Sequence, residues 1–264
     1  MTVDLSERRD LRGLALRLFA LAWPVALARL GIMGMGLCDA VVVGRLAPQD
    51  LPYQALGWAP TGVMLVSGVG LLTGVQVLAA RALGAELPHQ AGAALQRGVV
   101  VALIGGVLAV LGVNLIGESV YSAFGVAPEL VAPSTRIMRV LMLSVPLHLI
   151  YIACAMFVEA IAQPLVSTWV MGIANVLNLA VNLWLVPRLG ALGSAWATVA
   201  ARGFLALAML LWLARLPEAG RLGLALRWRS GGLTTHGYRE FFAVGVAAAV
   251  SQAAESGAFG GMTI

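Results

Sequence analysis

Lysine is absent from this chain, and charge of either sign is scarce: 17 arginines and 12 acidic residues make up 11% of its 264 residues. The missing lysine reads as codon bias more than chemistry. A typical water-soluble domain carries about 25% charged residues, so a surface with this few charges points away from water. Cysteine is also sparse. Cys38 and Cys154 each sit in an apolar run without a CxxC or CxxH neighbour, which argues against a disulfide framework or a thiolate metal site. The net charge of +5 gathers at the N-terminus and between Arg215 and Arg239 instead of forming a nucleic-acid patch. No paired nucleophile and base, no His/Asp/Glu metal set and no aspartate dyad appears at depth. A lone His148 and an isolated Asp39 supply neither an enzyme nor a cofactor site.

Apolar residues fill the space that charge leaves. They make up 60% of the chain, and its mean hydropathy is +0.91, so lipid must solvate most of it. A helix needs about 20 apolar residues to cross a ~30 Å hydrocarbon core. Six runs of that size can be drawn, over residues 14–43, 55–80, 98–117, 137–157, 166–186 and 192–213. A seventh begins near Phe241 and is unfinished at Ile264. None alternates with the period of two that a barrel strand requires, so the fold class is all-α: a polytopic transmembrane helical bundle.

The arginines give the bundle a direction. Arg8, Arg9, Arg12, Arg17, Arg81, Arg97, Arg215, Arg221, Arg227, Arg229 and Arg239 fall on one side. Arg45, Arg188 and the acidic stretch around Glu118 and Glu129 fall on the other, with Arg136 and Arg139 as exceptions. This bias predicts a cytoplasmic N-terminus. The Ala26-Leu27-Ala28 sequence looks like a signal-peptidase site, but the apolar run continues past Arg29 with no polar mature start, which argues against cleavage. Residues 1–214 read as a six-helix lobe, 215–240 as a cytoplasmic basic linker, and 241–264 as the start of a further helix. Within the linker, the RLGLALRWR of residues 221–229 suits either a segment lying on headgroups or an ordinary connection.

Many of the 31 glycines lie inside spans, among them Gly31, Gly34, Gly36, Gly68, Gly70 and Gly74, where small residues let helix backbones approach. Pro24, Pro60 and Pro146 also fall inside spans, where each removes one backbone hydrogen bond.

Polar groups at membrane depth carry the most information, because a carboxylate at a span's centre costs about 2.5–3.5 kcal/mol. Asp39 lies just over a turn inside the end of the first span. It is either an interfacial aspartate satisfied by Arg45 or water, or a cation or proton site on an internal cavity. Asn175, Asn178 and Asn182 stack on one helix face by steps of three and four, as interhelical glue or as site residues. Thr198 and Asn114 are weaker cases. Arg29 stands ten residues before Asp39, nearly three turns. It is too far for a direct pair, so it lines a water-filled cavity or pairs with another helix. His148 reads as a buried hydrogen-bonded histidine, Glu159 as interfacial, and Glu255 as a mid-span acid in need of a partner.

These segments together resemble the multidrug and toxic compound extrusion (MATE) family of transporters. The resemblance starts at LAWPV (residues 21–25) and DAVVVGRL (39–46), and continues at GLLTG (70–74) and ARALG (80–84). It is strong at NVLNLAVN (175–182) and GALGSAWAT (190–198), and reaches Gly245 and ESGAF (255–259). It implies one lobe of a two-lobe (6+6) antiporter, multi-pass in the bacterial inner membrane, that exports cationic or amphipathic compounds in exchange for Na+ or H+. It also implies a cation site at Asp39, Asn178, Asn182 and Thr198, with Glu255 matching an acid of the second lobe. Some members have aspartate where this chain has Asn182, so one carboxylate remains where they have two, and the choice of ion is open. The unfinished seventh helix predicts a truncated chain that needs a C-terminal lobe for transport. A lipid-linked saccharide flippase of the same superfamily is the alternative. It would need several cavity arginines, and Arg29 is the one expected at depth.

Overall fold

A computed structural model describes the backbone over residues 5–224 and 235–261, and the side chains of Leu16, 18–224 and 237–250. Seven helices make up most of these stretches: α1 (Leu5–Leu46), α2 (Leu51–Gly84), α3 (Pro88–Ala123), α4 (Pro128–Ala160), α5 (Leu165–Leu189), α6 (Ala191–Ala214) and α7 (Thr235–Gly261). A short 3-10 turn, Pro48–Asp50, joins α1 to α2. Among the described residues six helices are long and apolar enough to cross a membrane, matching the six runs read from hydropathy.

The helices overshoot those runs. The first apolar run begins at residue 14 but α1 begins at Leu5, and α7 begins at Thr235, six residues before the apolar start at Phe241. Hydropathy marks where lipid begins, whereas a helix continues through charged turns until a breaker stops it. Proline in the first turn starts α2, α3 and α4, where its missing N–H costs nothing. Pro24, Pro60 and Pro146 lie within continuous helices. Most of the 221–229 segment lies outside the described residues.

Helix α4 is the hub, packed on α2, α3 and α6. Its Met138, Met142, Ile152 and Phe157 are fully buried. Outside the bundle the pattern is inverted relative to a soluble protein: Phe19, Met33, Leu108, Leu115, Trp169 and Val176 stand exposed, as lipid-facing side chains do. Helices α1 and α5 lie side by side and parallel. The Thr168 hydroxyl donates to the Pro24 carbonyl at 2.7 Å, Gly31 abuts Met171, and Asp39 meets Asn178.

At the other edge α7 packs on α2 along a small-residue seam. A methyl group at Gly70 would meet the Ala249 Cα at 2.6 Å, and one at Gly74 would meet the Phe241 carbonyl at 3.0 Å. The seam role read for Gly70 and Gly74 is what the packing shows, whereas Gly36 faces open space.

The α5–α6 corner sets the site. Gly190 turns the chain at φ +60, a conformation that glycine adopts without steric cost. The Ala191 N–H then donates to the Asp50 carboxylate at 2.9 Å. The start of α6 is therefore capped from the α1–α2 turn, and α1, α5 and α6 are locked together at one end of the bundle.

Candidate functional site

Near that locked end, Asp39 projects from α1 into the seam between α5 and α6 and is completely buried. Its Oδ1 accepts the Nδ2 of Asn178 at 3.0 Å and the Nδ2 of Asn182 at 2.7 Å. Its Oδ2 accepts the Thr198 hydroxyl at 2.6 Å. Asn178, Asn182 and Thr198 are as buried as Asp39. The i, i+4 spacing on α5 brings both amides to one carboxylate oxygen, and α6 supplies the hydroxyl to the other. A buried carboxylate with this many donors is satisfied without leaving the protein. Arg45 stands exposed and makes no ion pair with Asp39 among the described residues, so the interfacial alternative does not describe this aspartate.

The carbonyl ends of the two asparagines are different. Asn178 Oδ1 and Asn182 Oδ1 are buried and accept no hydrogen bond. Each is a hard neutral oxygen on an amide whose nitrogen meets the carboxylate, and it is of the donor type that hard cations take. A proton would need no such ligands, because it binds the carboxylate covalently. The pocket thus offers chemistry for either ion.

The other expected positions separate from this cluster. Asn175 turns back on its own helix, its Nδ2 donating to the Met171 carbonyl at 2.9 Å, and lies against α1 at Gly31 and Gly34. Asn114 is exposed, and its Nδ2 donates to the Val110 carbonyl at 2.8 Å. His148 is buried, and its Nδ1 has no hydrogen-bond partner. The hydrogen bond read for this histidine is therefore not made at Nδ1. Glu255 lies in α7, where its side chain is outside the described residues.

Glu159 requires a correction. It stands at the end of α4 as read, but water does not satisfy it: its side chain is 6% exposed, 3.8 Å from the Arg29 guanidinium, and accepts the Gln76 Nε2 at 3.0 Å. The Arg29 question resolves in the same contact, in favour of a partner on another helix.

The sequence reading missed Arg202. This guanidinium is buried on α6, one turn beyond Thr198. It donates to the Ser144 hydroxyl of α4 at 2.7 Å and lies 5.1 Å from the centroid of the Trp58 ring of α2. Its place was visible inside the run 192–213, as a charge at the middle of a span and in helical step with Thr198. Arg29 is therefore not the one arginine at depth.

The family model described as MatE matches residues 24–184. A "Probable multidrug resistance protein NorM" of Caulobacter vibrioides is 42% identical over 245 residues, covering 84% of this chain and 52% of that protein. "Multidrug resistance protein PmpM" of Pseudomonas aeruginosa is 30% identical over 263 residues, covering 94% of this chain and 54% of that protein. Among solved structures, the bent form of a Vibrio cholerae MATE transporter superposes with a TM-score of 0.82 at 22% identity, covering 96% of this chain and 57% of that one. A MOP superfamily transporter from Pyrococcus furiosus superposes at 0.80 and 19% identity, covering 92% and 54%. The chain spans about half the length of the curated relatives it matches.

Proposed function

This chain belongs to the multidrug and toxic compound extrusion (MATE) family, and we propose that it supplies the cation-coupling lobe of a secondary antiporter that exports multiple drugs. The transported compounds are cationic or amphipathic, and the driving ion is Na+ or H+. The names of its relatives as multidrug resistance proteins support the first part of this reading. The second part rests on one observation: a fully buried Asp39 held by Asn178, Asn182 and Thr198, the two asparagines having buried amide oxygens that accept nothing.

The mechanism follows from charge. Unloaded, the carboxylate draws the amides of α5 and the hydroxyl of α6 onto α1. A bound cation neutralises it, weakens those three hydrogen bonds and loosens α1 from the α5–α6 hairpin. Efflux requires that ion and drug favour opposite states of this equilibrium. The six helices over residues 1–214 act as one lobe, with a cytoplasmic N-terminus as the arginine bias indicates, residues 215–240 as linker and 241–264 as the start of a second lobe. The substrate cavity forms between the two lobes, so transport is a property of the two-lobe assembly.

The lipid-linked saccharide flippase is less well supported. Arg29 is engaged by Glu159, and Arg202 by Ser144 and Trp58, so neither is presented as a spare cation for a phosphate headgroup.

The test is drug uptake into inverted vesicles that carry a two-lobe transporter containing this lobe. Efflux driven by a Na+ or pH gradient is expected to vanish in Asp39→Asn. Unchanged gradient-driven ethidium transport in that variant would overturn the assignment.

A further inference from the structure

Arg136 and Arg139 are the two arginines that run against the orientation bias, at the end of the bundle opposite the N-terminus. Arginine next to a span on that side works against insertion in this sense, and neither residue belongs to the core or to the Asp39 cluster. Both are exposed near the start of α4. Arg139 lies 3.2 Å from the Glu118 carboxylate of α3, and the two side chains remain 44% and 59% exposed. Arg136 has no ion-pair or hydrogen-bond partner among the described residues.

The face that carries them is a lipid face. Around α4, Met138 meets α2 at Gly57, and Pro146 meets α3 at Gly106. Ser144 and Leu147 meet α6 at Arg202 and Gly203. At about 3.6 residues per turn, Arg136, Arg139 and Leu143 then fall in the gap between α3 and α6, on the side away from α2. Helix α7 packs on α2, so this face is also remote from the start of the second lobe. One turn deeper, Leu143 of α4 and Leu115 of α3 are exposed, and Leu111 is exposed a further turn down. The apolar runs of these helices stop at Gly117 and start at Ile137. Glu118 and the two arginines therefore stand where hydrocarbon gives way to headgroups.

We propose that Arg136 and Arg139 form a binding site for the phosphodiester of an anionic phospholipid, of the phosphatidylglycerol class, in the leaflet at this end of the bundle. The formal charges of Arg136, Arg139 and Glu118 sum to +1, which one phosphodiester monoanion cancels. A step of three residues holds the two Cβ atoms about 5–6 Å apart, a spacing at which two guanidinium forks can share one phosphate. Glu118 holds Arg139 toward α3 and competes with phosphate for it. The acyl chains run down the exposed leucines of α3 and α4. A zwitterionic headgroup brings its own cation and gains less from the surplus charge.

The experiment uses this chain in detergent micelles, titrated with phosphatidylglycerol or with phosphatidylcholine of the same acyl chains, and reads occupancy of the first bound lipid by native mass spectrometry. Phosphatidylglycerol is expected to bind about fivefold more tightly, the factor for one arginine near a headgroup. Arg136→Gln/Arg139→Gln should abolish that preference. Arg45→Gln/Arg188→Gln removes as much charge at the same end of the bundle and should keep it. Arg136→Gln alone strands no partner, so it should fold and melt as wild type while binding phosphatidylglycerol about fivefold more weakly. Glu118→Gln should strengthen binding, since the competing carboxylate is gone. Inorganic phosphate at the lipid's concentration should not displace it, because it brings no acyl chain to the leucines. Equal binding of the two lipids, equal loss of preference in both double variants, or unchanged binding in Arg136→Gln overturns the proposal. So does weaker binding in Glu118→Gln, or displacement by inorganic phosphate, which would make this a site for free anions.

Discussion

Arg29 of α1 and Glu159 of α4 form an ion pair of 3.8 Å with unequal burial, the arginine side chain 35% exposed and the glutamate 6%. The inequality decides what each partner is worth. Removing Arg29 leaves a buried carboxylate with Gln76 as its remaining donor, whereas removing the charge of Glu159 leaves a guanidinium that is already one-third exposed.

Arg29→Ala should therefore destabilise the lobe more than Glu159→Gln. A broken buried pair costs about 3–5 kcal/mol, and the partial exposure of Arg29 brings this towards about 2 kcal/mol. Thermal unfolding in detergent of the two single variants and the double variant measures the difference. In the double variant most of the Arg29→Ala loss should be recovered, since no charge is then stranded. Equal losses for both single variants would show that burial does not control this pair.

Asn182→Asp should change the ion response of the pocket. The new carboxylate would stand where an amide now donates to Asp39 at 2.7 Å, and two carboxylates this close cannot both stay ionised without a cation between them. The variant is expected to share a proton at neutral pH and to gain stability from Na+, since a ligand of the folded state raises its melting temperature. Melting curves over a NaCl series, with choline chloride as the ionic-strength control, should rise more steeply for the variant than for wild type. Parallel curves would mean that Na+ does not reach the pocket.

The bundle was legible because lipid imposes a length on every span, so the six runs located the helices, though not their ends. Charged turns at Leu5 and Thr235 continue a helix without apolar residues, and hydropathy cannot see them. The site was legible in part for the same reason: a buried acid and three amides in helical step are rare in an apolar span. The partners of those groups were not, because they lie on helices far apart in sequence. Nothing near Asp39 in the chain announces Thr198, and its place came from the family resemblance. Glu159 looked interfacial because it is close to the end of α4, but tertiary packing with Arg29 and Gln76 buries it. Arg202 was legible as a charge at mid-span in helical step with Thr198, but its pairing with Ser144 and Trp58 exists only in three dimensions.

The α2–α7 seam offers a test of packing that is independent of charge. At Gly70 a Cβ would stand 2.6 Å from the Ala249 Cα and 2.8 Å from its Cβ, and backbone atoms of a neighbouring helix cannot step aside. Gly70→Leu must therefore push α7 away from α2, losing the close contact that drives helix association where lipid is as apolar as the side chains. Gly36→Leu is the matched control, because nothing lies within 4 Å of that position, and leucine is also the better helix former by about 1 kcal/mol. Thermal unfolding in detergent should show a clear loss for Gly70→Leu and little change or a small gain for Gly36→Leu. If both variants melt alike, then α7 is not held by the small-residue seam, and the polar first turn of α7 around Arg239 and Glu240, where Glu240 lies 3.9 Å from Arg81 of α2, must carry the docking instead.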